Sequence, residues 1–132
     1  MQKEKILNES DQQGISEDLT SPVDPGALTE IFGDDSVAKT GLLQKFSLQA
    51  EEIVEALETA YEQRDIEQIA FHTHKLKSSA RTVGANNLAD ICFSLEMAAR
   101  NVDWGEIDNL FSSLRPNMQS VKVYTDGLIA FG

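Results

Sequence analysis

The stretch Phe71-His72-Thr73-His74-Lys75-Leu76-Lys77-Ser78-Ser79-Ala80-Arg81-Thr82-Val83-Gly84 decides how this chain is read. On a helix turning about 100° per residue, with Ile69 at zero, Leu76, Ala80 and Val83 fall within roughly 40° of it and form an apolar stripe. His74 falls at about 140°, on the outward half of the same helix, beside Ala70, Phe71, Ser78 and Arg81. The spacing therefore predicts a helix whose histidine faces partners rather than a core. His72, at about 300°, borders the stripe and is predicted to be partly packed and hydrogen-bonded.

The residues around His74 suit a group that becomes negatively charged. Ser78, Ser79 and Ala80 are small and lie about one turn on, which leaves the imidazole open to the approach of another protein. Lys77, three residues on, is near enough to reach an anion held on the ring. From Ile66 to Gly84 the chain carries Lys75, Lys77 and Arg81 against Glu67 alone, inside a protein of net charge −11.

At these positions the chain resembles the histidine-containing phosphotransfer (HPt) domains of bacterial and eukaryotic phosphorelays. Their motif places a lysine three residues after the phosphorylated histidine, a glycine four after, small residues next, and a glycine ten after. Here His74, Lys77, Ser78, Ser79, Ala80 and Gly84 occupy those offsets, with apolar Leu76 and Val83 between them. Ser78 departs from the usual glycine; it is still small, so docking is expected to survive with a tighter fit. The resemblance runs from about Asp24 to the C-terminus.

Outward from this stretch, the pattern is helical throughout. Residues 1–22 are polar and acidic, without sustained periodicity, and read as a flexible tail or linker. Asp24-Pro25 is an N-cap followed by proline at the first helical position, and Gly33 ends that short helix. Asp34, Asp35 and Ser36 offer the next cap. The helix they open runs to about Gln63 on the stripe Leu43, Phe46, Ala50, Ile53, Val54, Leu57 and Tyr61. Its glutamates, Glu51, Glu52, Glu55, Glu58 and Glu62, read as a solvated acidic face.

Asp65 with Gln68 caps the histidine helix, and Gly84 closes it as a left-handed C-cap. Asn86 is the predicted cap of the following helix, with Leu88, Ile91, Cys92, Leu95 and Ala98 or Ala99 inward. Asp103 and Glu106 open the last helix, whose stripe is Ile107, Leu110, Phe111, Leu114, Met118 and Val121. Pro116 should kink that helix or divide it. Trp104, at its start, is expected over the hairpin end. Four long amphipathic segments joined by short loops predict an all-α, antiparallel up-down four-helix bundle over residues 23–132, with a short extra N-terminal helix.

Composition excludes several functions. A pI near 4.4 argues against a nucleic-acid surface, which needs a basic face. No apolar run has membrane-spanning length, and no apolar signal region opens the chain. Cys92 is the single cysteine, so neither an internal disulfide nor a cysteine-rich metal site can form. His72 and His74 point about 160° apart on a helix and cannot chelate one ion. No cofactor motif is present. The whole suits the cytoplasm.

The resemblance implies the chemistry. His74 would take a phosphoryl group from an aspartyl phosphate on a response-regulator receiver domain and pass it to the aspartate of another. Lys77 would help neutralise the charge, while Ala70, Phe71, Ser78 and Arg81 would form the docking surface. The receiver would bring the Mg²⁺, and a hybrid histidine kinase is an expected partner. Such a protein is a phosphocarrier without kinase activity of its own. The competing reading is a helical adaptor that binds partners without being phosphorylated.

Overall fold

The computed structural model of the protein describes residues 21–131. The tail expected over residues 1–22 lies outside them except for its last two residues. Among the described residues five helices follow in order: α1 Pro25–Phe32, α2 Ser36–Glu62, α3 Ile66–Val83, α4 Asn86–Arg100 and α5 Trp104–Phe131. The chain is an all-helical bundle in which α2 packs on α3 and α5, and α4 packs on α3 and α5. Among the described residues the diagonal pairs, α2 with α4 and α3 with α5, are not in contact. That is the square cross-section of an up-down bundle, and α1 lies as a short lid on α2 and α3.

Most helix ends follow from their cap residues. Asp24, Asp35 and Asp65 each accept a backbone N–H of the turn they open, at 2.9, 3.0 and 3.2 Å, satisfying donors that have no partner inside a helix. Asp103 does the same for the Glu106 N–H at 3.1 Å. One expectation fails, and one pair of alternatives narrows. Asn86 is not the cap of α4: that position falls on Ala85, which is fully buried and offers no side-chain bond. Pro116 does not divide α5, which continues through it as one helix of 28 residues.

The predicted stripes supply the core, with Tyr61, Ile91, Leu110 and Phe111 half-buried against its edge. Leu43, Phe46, Ala50, Val54 and Leu57 of α2 share one buried cluster with Ile69, Leu76, Ala80 and Val83 of α3, Leu88, Cys92 and Leu95 of α4, and Ile107, Leu114, Met118 and Val121 of α5. The small residues Ala80, Ala85, Ala89, Cys92 and Ala99 let α3 and α4 approach closely, and this is the most extensively packed helix pair. Burial pushes the Cys92 thiol up to about 12, the Lys77 charge opposing and the Glu96 charge adding, so it stays a protonated apolar filler.

The acidic face of α2 is less solvated than its sequence implies. Arg115 of α5 reaches back across the bundle, donating to Glu51 at 2.5 Å and to Glu58 at 2.8 and 3.2 Å. Near the other end Tyr61 stacks on Phe111 with centroids 4.3 Å apart and donates to Asp108 at 2.5 Å. Trp104 is half-buried there beneath the Arg64 guanidinium, 4.6 Å from its ring. These contacts tie α2 to α5 and leave the outer side of α3 and α4 open.

Candidate functional site

His74 stands where the wheel puts it, on the outer side of α3 with its side chain 62% exposed. Its neighbour Thr73 is fully buried and returns its hydroxyl to the carbonyls of Ile69 and Ala70, so the helix stays satisfied beneath the histidine. The ring is held from the side by α4. Its Nδ1 lies 2.9 Å from Glu96 Oε2.

Glu96 is the centre of the arrangement, and it is almost fully buried, at 3% exposure. Lys77 Nζ donates to its Oε1 at 2.7 Å, and Arg100 Nη2 donates to its Oε2 at 2.7 Å. Burial alone would raise the carboxyl pKa. The hydrogen bonds from Lys77, Arg100 and His74 outweigh that and bring it down to about 2. Glu96 is therefore ionised at physiological pH and can only accept. Nδ1 of His74 must carry the ring proton, and the Nε2 lone pair is left pointing away from the carboxylate. In the neutral imidazole so oriented, Nε2 is an exposed nucleophile with a fixed direction.

Of the residues singled out by sequence, Ala70, Phe71 and Ser78 line one open hollow with His74, together with Glu67, Lys75, Ser79, Glu96 and Arg100. Phe71 is 60% exposed, since α1 sits further along α3 and does not cover it. Arg81 is exposed but outside that hollow. Lys77 also stands apart: its side chain is only 14% exposed, and its ammonium is committed to Glu96 rather than free to meet an anion on the ring. His72 is half-buried, as its border position implied, but its Nδ1 is buried without a hydrogen-bond partner among the described residues. It packs edge-on to Phe71, centroids 5.2 Å apart.

Sequence reasoning missed the contribution of α4. Glu96 lies about 80° from Leu88 on that helix, between the buried Cys92 and Ala89. A carboxylate on the shoulder of an apolar stripe, across a short hairpin from Lys77, was the signal. Arg100, one turn after Glu96, completes an i,i+4 pair. Phe93 and Met97 add exposed apolar surface on the same helix, and Phe93 lies 5.5 Å from the Lys77 ammonium.

Among the described residues no group of histidine, cysteine, aspartate or glutamate is placed to hold a metal ion, and no helix is long and apolar enough to cross a membrane. None of the curated proteins matches the chain in sequence. Among solved structures, it resembles the crystal structure of histidine-containing phosphotransfer protein B (HptB) from Pseudomonas aeruginosa PAO1. The TM-score is 0.75 at 22% identity, over 82% of this chain and 94% of that one. That likeness speaks for the fold. The sequence itself matches the family described as Hpt domain over residues 41–122, well over half of the chain. The match takes in most of α2, all of α3 and α4 with His74 and Glu96, and α5 as far as Lys122. On that span the chain belongs to the Hpt domain family, whose work is histidine phosphotransfer in phosphorelays.

Proposed function

We propose that His74 is the phosphoacceptor and that it exchanges a phosphoryl group with the aspartates of response-regulator receiver domains. The observation that carries this is the bond from His74 Nδ1 to the buried Glu96 carboxylate, which aims Nε2 outward. In the forward step Nε2 attacks the phosphorus of an aspartyl phosphate. The new N–P bond forms as the P–O bond to the aspartate breaks, and that carboxylate leaves with the electron pair. Passing the group to a second receiver reverses these bonds.

Phosphoryl transfer asks for in-line positioning and charge balance more than covalent machinery. On this chain Glu96 holds the ring and stabilises the charge it acquires. Arg100, with its side chain 62% exposed and guanidinium N–H groups to spare, is the cation able to face the phosphoryl oxygens. Lys77 acts through Glu96, as a positioning residue. The receiver supplies the Mg²⁺. Ala70, Phe71 and Ser78 form the near side of the docking surface, Phe93 and Met97 the far side, and Arg81 its edge. The protein is then a phosphocarrier rather than a kinase, at work in the cytoplasm with receivers and a hybrid histidine kinase as donor.

Incubation with a phosphorylated receiver tests this. Wild type and His72→Gln should acquire acid-labile, base-stable phosphate, while His74→Gln folds normally and acquires none. Label on His74→Gln would remove the assignment. Receiver binding without any label on the wild type would make the protein an adaptor instead.

A further inference from the structure

One wall of the hollow beside His74 carries a hydroxyl that the protein itself does not use. Ser78 is exposed, lines that hollow, and follows His74 by four residues on the same face of α3. Side chains so spaced have Cβ atoms about 5–6 Å apart, and the Cα–Cβ bond of the later residue tilts back toward the earlier one. Thr73 spends its hydroxyl on the Ile69 and Ala70 carbonyls and Thr82 on the Ser78 carbonyl. Ser79 also lines the hollow and is unbonded among the described residues, but lies about 140° from His74 around the helix. Ser78 Oγ makes no hydrogen bond among the described residues. Of the cations beside it, Lys77 commits its ammonium to Glu96 and Arg100 one N–H, while Lys75 also lines the hollow. A phosphoryl group on Nε2 would present three oxygens, and the hydroxyl one turn on is a neutral donor placed to meet one of them.

We propose that Ser78 Oγ–H donates a hydrogen bond to the phosphoryl group carried on His74 and lengthens the life of the phosphorylated protein. This rests on His74 being the acceptor. Spontaneous loss occurs when a water oxygen bonds to phosphorus, the P–N bond breaks, its electron pair returns to Nε2 and inorganic phosphate departs. In the loose transition state of that reaction the phosphoryl oxygens carry less negative charge than in the bound dianion. A donor on those oxygens therefore holds the ground state more strongly than the transition state, and hydrolysis slows. The serine hydroxyl, absent where glycine stands in the usual motif, sets the lifetime of the carrier.

The experiment needs no receiver. The full chain is phosphorylated chemically with phosphoramidate, freed of the reagent, and followed by ³¹P NMR. Wild type, Ser78→Ala and Ser78→Gly are compared, with His74→Gln alongside. The phosphohistidine signal of both Ser78 variants should decay about three- to ten-fold faster than wild type, the scale of one partly exposed hydrogen bond, and its chemical shift should move. Decay of Ser78→Ala at the wild-type rate overturns the proposal. So does a fast Ser78→Gly beside a normal Ser78→Ala, which would make size rather than the hydroxyl responsible. A phosphohistidine signal that persists in His74→Gln, or its absence from wild type, overturns the acceptor assignment instead.

Discussion

Glu96 governs His74 from below, and its burial gives the site an acid limit. Its carboxyl pKa is about 2 in the folded protein against an ordinary 4.5, and burial acts against that shift while the donors Lys77, Arg100 and His74 produce it. A group whose folded pKa is depressed stabilises the fold above the unfolded value and loses that contribution as pH falls through the folded one. Here the contribution is of order 3 kcal/mol at neutral pH and disappears between about pH 4.5 and pH 2. Glu96→Gln keeps the shape and leaves the Lys77 ammonium without its anion. It should cost about 2–4 kcal/mol in urea unfolding at pH 7, with the difference from wild type shrinking as pH falls toward 3. Lys77→Ala, which takes away the other half of the pair, should destabilise as well, contrary to what its exposed-looking place in the sequence suggests. Equal stability of Glu96→Gln and wild type at pH 7 would show the network to be ornamental. Only half of this site was legible in the sequence. A wheel can place His74 outside because solvent exposure is a property of one helix. The burial of Glu96 and Lys77 is a property of two helices packed together, which no single wheel contains.

The α3–α4 hairpin depends on Gly84 for two separate reasons. Its φ of +81° is left-handed, and a Cβ there would lie 2.5 Å from the carbonyl oxygen of Asp24 and 2.9 Å from Ala27 Cβ. The Asp24 N–H donates to the Gly84 carbonyl at 2.8 Å, so the strand of chain before α1 is seated on the C-cap of α3. Gly84→Ala should therefore cost about 2–4 kcal/mol, from the strained backbone and the displaced lid together. Gly41→Ala gives the contrast: it is exposed within α2, with nothing within 4 Å of the added methyl, and should stabilise by about 0.5–1 kcal/mol. Chemical denaturation of the two variants checks both signs. The left-handed cap was readable from glycine at the end of the stripe. The approach of Asp24 was not, because the two residues lie far apart in sequence and meet only on folding. The misplaced cap of α4 has a similar origin. Gly84 reverses the chain so abruptly that the cap position falls on buried Ala85, and Asn86 is already inside the helix.

The contacts that join α2 to α5 and seat the lid lie apart from the proposed docking face. The Arg115 clamp on Glu51 and Glu58, together with the stack of Tyr61 on Phe111, joins α2 to α5, while Leu28 of the lid helix α1 and Val23 just before it are buried at the far end of α3. The His74 hollow and the exposed Phe71, Phe93 and Met97 belong to α3 and α4. Loosening the lid is thus expected to leave the ring undisturbed, and altering the proposed docking face to leave the bundle intact. Leu28→Ala removes a side chain that is 2% exposed and should lower stability by about 2–4 kcal/mol. At a temperature where the variant is still folded, its rate of phosphoryl uptake from a receiver should equal that of wild type. Phe71→Asp changes a side chain that is 60% exposed and should leave the unfolding midpoint within about 0.5 kcal/mol of wild type. It places a charge in the apolar contact zone, so the receiver concentration needed for half-maximal uptake should rise about tenfold or more. The pair is informative only together, measured by thermal unfolding and by uptake kinetics on the same preparations. If Phe71→Asp unfolds early and docks normally, Phe71 supports the bundle and the docking face must be redrawn around Phe93 and Met97.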